Sequence, residues 1–325
     1  MSTLEFRLLN EFQRDLPLCP EPYREFAARL GREMPDVLAA LARLQKAGKV
    51  SRVGATFRPG AFGASTLAAM RVPAHRLDDV AQAVNAFPEV NHNYQRDHEI
   101  NLWFVVTAAD AQALAAVLAR IESRCALPAM RLPLLTEYHI DLGFDLASGR
   151  SPQTSARARA PSRPLYPTAR ERGLLAALEK GLPLAPRPYA LLGEQCAMSE
   201  EQVIATLDCW RTLGAMRRFG VIVRHWELGF TENAMVVWDV PDDRVDSLGI
   251  AAAGARFVTL CYRRARDLRS WPYNLYCMIH GGNRMRVLGA VYSLARRCGL
   301  EAFPQQVLFG LRRFKQQGAR YASAR

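Results

Sequence analysis

This chain is written twice. Leu8 opens the string LLNEFQRDLPLCPEPY, and Leu174 opens LLAALEKGLPLAPRPY. Pro17 matches Pro183, and Pro22-Tyr23 matches Pro188-Tyr189, at one spacing of 166 positions (17 to 183, 22 to 188). The same spacing relates Arg52-Val53-Gly54 to Arg218-Phe219-Gly220, and Arg58 to Arg224. Further on, Asn93-Tyr94-Gln95-Arg96 answers to Cys261-Tyr262-Arg263-Arg264 at a spacing of 168, and Asn101-Leu102-Trp103 to Asn274-Leu275-Tyr276 at 173. A drift that small, falling between elements, is what loop insertions leave behind. Fold and function must therefore be read as one unit used twice.

Within the first copy, residues 4–15 place Leu4, Leu8 and Phe12 at helical spacing. Residues 23–30 predict a second helix closed by Gly31. Residues 35–47 predict a third, with Pro35 at its start and Val37, Leu38, Leu41 and Leu44 on one face. Residues 50–57 then read as a wing hairpin, completing a winged helix-turn-helix. After it come a strand (66–72), a helix (75–87), two strands (90–95 and 100–107), a helix (110–125) and a strand (132–140). That order, βαββαβ, is the ferredoxin-like motif. The second copy repeats the winged helix over 170–223 and the βαββαβ series over 234–311. Between the copies, residues 147–167 are rich in Ser, Pro, Ala and Arg and lack apolar periodicity, as a flexible basic linker would. The expected fold class is α+β. The expected division is winged helix 1–61, ferredoxin-like domain 62–146, linker 147–167, winged helix 168–227 and ferredoxin-like domain 228–325.

A winged helix joined to such a sandwich resembles the AsnC/Lrp transcription regulators, a likeness of layout that does not by itself carry function. The net charge of +12 calls for an anionic partner. Of 43 basic residues only Lys46, Lys49, Lys180 and Lys315 are lysines. A GC-rich genome is one explanation; guanidinium forks that hold carboxylate or phosphate bidentately are another. The third helices argue against DNA. Their N-terminal residues would face base edges, yet they read Ser199-Glu200-Glu201-Gln202 and Met34-Pro35-Asp36-Val37, without the basic array that phosphate neutralisation needs. No apolar run is long enough to span a membrane, and MSTLEFRLLNEF lacks the pattern of a signal peptide. Seven scattered cysteines without a CxxC pair suit reduced thiols in a cytoplasm.

The longest motifs name a narrower family. Copy two carries Arg217-Arg218-Phe219-Gly220, Arg224-His225 and Leu228-Gly229-Phe230. It also carries Leu260-Cys261-Tyr262-Arg263-Arg264, and a run from Trp271-Pro272-Tyr273-Asn274 to His280-Gly281. Copy one carries Arg52-Val53-Gly54, then His92-Asn93-Tyr94-Gln95-Arg96-Asp97-His98 and Asn101-Leu102-Trp103. These resemble the two AsnC-like subunits of siroheme decarboxylase, fused as in the NirD–NirL type. The resemblance spans both copies. It implies loss of carbon dioxide from two acetate side chains of siroheme, giving 12,18-didecarboxysiroheme on the route to haem d1.

That substrate is a flat macrocycle ringed by carboxylates, so its pocket should be aromatic inside and arginine-rich at the rim. The chain offers Tyr94, Trp103, Tyr262, Trp271, Tyr273 and Tyr276 with Arg52, Arg96, Arg218, Arg224 and Arg264; Asn274 joins them as a substrate-binding candidate. Decarboxylation needs a proton delivered to carbon, for which histidine is suited. The resemblance assigns this role, or contact with the substrate iron, to His225 and His280. His92, Tyr94, His98 and Trp103 are secondary candidates. His75 and His139 read as structural, and Trp103 and Tyr276 as core equally well. No nucleotide loop, flavin fingerprint, zinc or cluster motif is present, so no cofactor or protein-held metal is expected, the iron arriving with the substrate.

The copies differ where it matters. His225 answers to Pro59, His280 to Thr107, and His92 to Leu260. One competent pocket, built mainly from copy two, is the expectation, in a pseudo-dimer within one chain that two chains could pair again. Two rivals stand: a tetrapyrrole-responsive regulator, which would bind a specific duplex with steep salt dependence, and a carrier, which would bind siroheme and leave its mass unchanged.

Overall fold

A computed structural model describes residues 1–140, 143, 146, 164–229 and 232–318, without the side chains of His225 and Trp226. Most of the expected linker lies outside the described residues. The first copy runs α1 (Thr3–Glu11), α2 (Pro22–Leu30), α3 (Met34–Lys46), β1 (Val50–Phe57), β2 (Ala64–Met70), α4 (Leu77–Asn85), β3 (Val90–Arg96), β4 (Leu102–Ala108), α5 (Ala111–Cys125) and β5 (Met130–Ile140). The second runs α6 (Ala169–Lys180), α7 (Pro188–Cys196), α8 (Glu200–Thr212), β6 (Met216–Val223), β7 (Glu232–Trp238), α9 (Val245–Ala253), β8 (Val258–Arg264), β9 (Leu275–Gly281), α10 (Arg284–Cys298) and β10 (Gln305–Gln316).

Contacts gather these elements into two units, each drawing on both copies: residues 1–62 with 162–228, and 63–161 with 229–323. In the first unit, local chemistry sets the helix ends. Ser2 and Glu5, Thr168 and Glu171, and Ser199 and Gln202 form capping boxes that satisfy orphan amides. Gly31, at φ 62°, closes α2 in the left-handed region. Val37, Ala40, Leu41 and Leu44 form the buried stripe of α3.

Among the described residues neither expected wing hairpin forms. β1 is a single strand, and it pairs antiparallel with β6 of the other copy, Gly54 opposite Gly220. The chain between α1 and α2 closes over this ribbon: Val221 N–H donates to Phe12 O at 2.8 Å and Leu16 N–H to Phe219 O at 2.9 Å. A Cβ on Gly220 would stand 2.6 Å from backbone atoms of Phe12 and Gln13. The Arg-Phe-Gly string thus has a steric origin: only glycine admits the neighbouring backbone.

The second unit is a closed eight-stranded barrel in the order β10-β3-β4-β2-β5-β8-β9-β7. Its two last strands are longer than the sequence suggested, because each serves both copies. Residues 130–133 of β5 pair with β2, and Leu134 to Ile140 pair with β8. Gln305 to Phe309 of β10 pair with β7, and Gly310 to Gln316 with β3. Closure leaves no edge strand. Period-two alternation divides the apolar residues among three cores. Ala68, Met70, Phe104 and Val106 face α4 and α5. Ala234, Val236, Leu275, Cys277 and Ile279 face α9 and α10. Their neighbours Leu67, Ala69, Trp103, Met235, Val237, Tyr262, Tyr276 and Met278 meet inside the barrel. Burying each large apolar side chain contributes roughly 1.5–3 kcal/mol.

Candidate functional site

The predicted site residues divide between the two units. Arg52, Arg218, Arg224 and His225 belong to the first; the remainder belong to the second. Arg218 is buried and Arg52 half-buried, its Nη2 donating to Ala55 O at 3.0 Å. Arg224 closes the ribbon, its N–H donating to Lys49 O at 2.9 Å. His225 begins a short 3-10 turn, and its side chain lies outside the described residues.

Inside the barrel the aromatic candidates converge. The Trp103 and Trp271 rings lie 5.2 Å apart, Trp271 and Tyr273 4.9 Å, and Tyr262 and Tyr276 5.6 Å and stacked. The polar handles of both tryptophans are committed within the fold, Trp103 Nε1 to Ile100 O and Trp271 Nε1 to Tyr276 Oη, both at 2.7 Å. Burial pushes the Tyr276 phenol well above its ordinary range. These rings build the wall.

Asn274, expected to bind substrate, is instead a backbone clamp. Its Oδ1 accepts from Val240 N–H at 3.1 Å, and its Nδ2 donates to Val240 O at 2.8 Å and to Asp242 at 3.2 Å. The duplicated Asn101 does the same to Val72, accepting at 3.0 Å and donating at 2.8 Å. Two of the five arginines expected at a pocket rim also do matching structural work. Arg96 Nη1 donates to Leu308 O at 3.0 Å, and Arg264 Nη1 donates to Leu132 O at 2.7 Å. Each thereby anchors the long strand that arrives from the other copy. Arg264 also lies over the Tyr262 ring, 4.6 Å from its centre.

Arg96 differs from its counterpart in what else it meets. It is buried, its Nη1 reaches Asn233 Oδ1 at 3.4 Å, and its Nη2 lies 3.9 Å from Met278 Sδ. Its Nε has no hydrogen-bond partner among the described residues. Asn233 stands directly across the β7–β9 ladder from His280. His280 Nδ1 lies 2.9 Å from Thr259 Oγ1, which itself donates to Met278 O at 3.1 Å. Burial first, and the Arg96 charge second, push the His280 imidazole down to a pKa of about 4. Burial lowers Arg96 to about 10. This end of the barrel therefore holds a neutral imidazole beside a desolvated guanidinium, an arrangement that favours an incoming anion.

Asn233 and Thr259 escaped the sequence reading. Their only sign was a polar residue within an otherwise apolar strand. Gly310 makes room for the first: a Cβ there would stand 2.8 Å from the Asn233 amide. The ladder also locates the equivalent place in copy one, where Ser65 faces Thr107. There Asn91 Nδ2 donates to Thr107 Oγ1 at 2.6 Å, and no histidine occupies the position of His280. Of the secondary candidates, His92 stacks on Tyr94, their rings 6.2 Å apart, and burial raises the Tyr94 phenol. His98 meets the Trp271 ring edge-on at 5.5 Å, its Nδ1 accepts from Ile100 N–H, and burial lowers its pKa.

A duplicated helix-turn-helix plus AsnC-like chain with this interior defines a class, and the comparisons make it specific. The model of an AsnC-like ligand binding domain matches residues 61–139 and 227–315, and that of a siroheme decarboxylase NirDL-like helix-turn-helix domain matches 5–50 and 171–217. The chain is 45% identical to the siroheme decarboxylase NirDL subunit of Paracoccus denitrificans, over 99% of this chain and 98% of that one. It is 29% identical to the siroheme decarboxylase of Hydrogenobacter thermophilus over 98% of its length and 94% of the relative's. A crystal structure of the siroheme decarboxylase NirDL superposes with a TM-score of 0.72 at 26% identity, covering 98% of this chain and 94% of the other. A second, in co-complex with an iron-uroporphyrin III analogue, gives 0.71. The chain belongs to the siroheme decarboxylase family, and is thus a carboxy-lyase. Among the described residues no helix is long and apolar enough to cross a membrane.

Proposed function

We propose that this siroheme decarboxylase removes carbon dioxide from two acetate arms of siroheme to give 12,18-didecarboxysiroheme, with His280 delivering a proton and Arg96 receiving a carboxylate. The observation that carries the reading is the His280–Thr259–Asn233–Arg96 cluster at the copy-two end of the barrel; at the other end Thr107, Asn91 and Ser65 replace His280, Thr259 and Asn233, and only the arginine, Arg264, is retained.

The free site keeps His280 neutral. A polycarboxylate brings negative charge beside it, pairs with the Arg96 guanidinium and raises the imidazole's proton affinity, so the acid forms only with substrate in place. The bond between the methylene and its carboxylate then breaks. Carbon dioxide leaves, the electron pair is delocalised into the conjugated macrocycle, and the imidazolium proton forms the new C–H bond. No further cofactor is required, because the macrocycle itself accommodates the charge. Arg52, Arg218, Arg224 and Arg264 are candidates to hold the other carboxylates. His225 is the second candidate acid or iron contact.

Anaerobic incubation of the protein with siroheme, followed by product mass and absorption, tests the reading. Loss of two carbon dioxides by wild type, and loss of turnover in His280→Gln, are expected. Siroheme bound but unchanged in mass would make the protein a carrier and overturn the proposal.

A further inference from the structure

The duplication supplies an internal control for the surface as well as for the site. α5 and α10 are equivalent helices of 15 residues, capped by Asp110 and Asn283 in the same way. Their inner faces agree, with Leu118, Ile121 and Cys125 answering to Val291, Leu294 and Cys298. Their outer faces do not. The exposed positions of α5 include Gln112, Ala115, Ala116 and Ala119; on α10 the same positions hold Met285, Leu288, Gly289 and Tyr292. Met285 is 77% exposed, Leu288 38% and Tyr292 66%, so three large apolar groups stand in water where copy one has small or polar ones. Their spacing of three and four residues aligns them in one stripe along the helix.

Charge flanks that stripe. The α10 sequence RMRVLGAVYSLARRC has Arg284, Arg286, Arg296 and Arg297 and no acid. Arg284 is paired with Asp97 at 2.7 Å. Arg286, Arg296 and Arg297 make no ion pair among the described residues, and Arg296 lies 5.7 Å from the Tyr292 ring centre. The last-turn arginines suit the helix dipole. Arg286, in the first turn, opposes it, so helix stability does not explain its presence. Tyr292, Ser293, Arg296 and Arg297 line an open depression of about 390 Å³. Beside the stripe, Gly289 has nothing within 4 Å of where its Cβ would be, so the helix surface there is open.

We infer that the outer face of α10 is a docking surface for an acidic amphipathic helix of a partner protein, whose apolar side covers Met285, Leu288 and Tyr292 while its carboxylates meet Arg286, Arg296 and Arg297. A second copy of this chain fits poorly. Two-fold packing of α10 on itself would bring arginine rims together, between molecules each carrying +12.

The probe is a fluorescein-labelled synthetic helix of leucines at heptad spacing with glutamates elsewhere, titrated with the full chain by anisotropy. Saturable binding that weakens with salt is expected. Met285→Gln with Tyr292→Gln should weaken it about tenfold, and Arg286→Glu with Arg296→Glu and Arg297→Glu about as much or more. Decarboxylation should be unchanged in all of these, because α10's outer face takes no part in the site. A peptide of identical composition with scrambled order that binds equally well would overturn the inference. So would wild-type affinity in both variants, or a sedimenting dimer that Tyr292→Gln dissociates.

Discussion

Asn274 sits in the motif Trp271-Pro272-Tyr273-Asn274, where a role in substrate binding is the natural reading, and the structure predicts a different phenotype for its loss. In Asn274→Ala the Val240 N–H and C=O, held at 3.1 and 2.8 Å, lose their partners at a position that is 1% exposed. Each buried backbone group left unmade costs about 1–2 kcal/mol, so the variant should lose about 2–4 kcal/mol locally. Asn101→Ala strips the same two bonds from Val72, but Asn101 is only half-buried and water can replace part of them, so about half that cost is expected. Because a chain of two units need not unfold in one step, the measurement is amide exchange at Val240 and Val72 together with urea unfolding. Exchange at Val240 should accelerate roughly 30- to 1000-fold, with a smaller change at Val72 in its own variant. The KM for siroheme should stay within about twofold, since both ends of the amide are already hydrogen-bonded within the fold. Wild-type protection at Val240 combined with a KM raised tenfold would restore Asn274 as a ligand of the substrate.

His280→Gln should lower kcat by about 10²–10⁴-fold with native unfolding behaviour at neutral pH, and Thr107→His in that background should not rescue it, which single-turnover mass measurement would show. Since the His280 pKa falls to about 4 in the fold, the folded state resists a proton that the unfolded chain accepts near 6.5. Its effect on stability is absent above that range. From pH 6.5 down to about 4 it should remove up to about 3 kcal/mol, a slope that His280→Gln flattens in urea titrations. Gly220→Ala should destabilise the first unit by about 1–3 kcal/mol or more, because the Cβ meets backbone at 2.6 Å; the loss should appear as faster exchange at the Val221 amide.

The duplication, the α+β class and the order of elements were legible in the sequence because each rests on local signals: matched strings, a Pro at the start of α3, glycine at the end of α2, and two alternating periods. Which strand bonds to which was not. β1 has the composition of a wing, and nothing in period-two alternation says that its partner is β6 rather than a hairpin mate. The same blindness shortened β10, whose last residues, Lys315 and Gln316, look like the end of a strand until β3 is set beside them. Among site residues, histidine and arginine were visible because their chemistry is rare in apolar segments. The sequence did not separate Asn274, whose amide is consumed by backbone, from Asn233, whose amide faces Arg96 and His280; the difference lies in geometry across the barrel.

The strands shared between copies have a consequence for how such a site can change. In a dimer of identical chains, any residue placed at one end of the barrel is copied to the other by the two-fold axis, and a mutation is always made twice. Here the two halves of the ladder are written separately, so His280 and Thr107 can be chosen independently while β5 and β10 keep the halves interlocked. Fusion thus turns an obligate symmetry into an optional one, and leaves the Thr107 end open to acquire a separate role without disturbing His280.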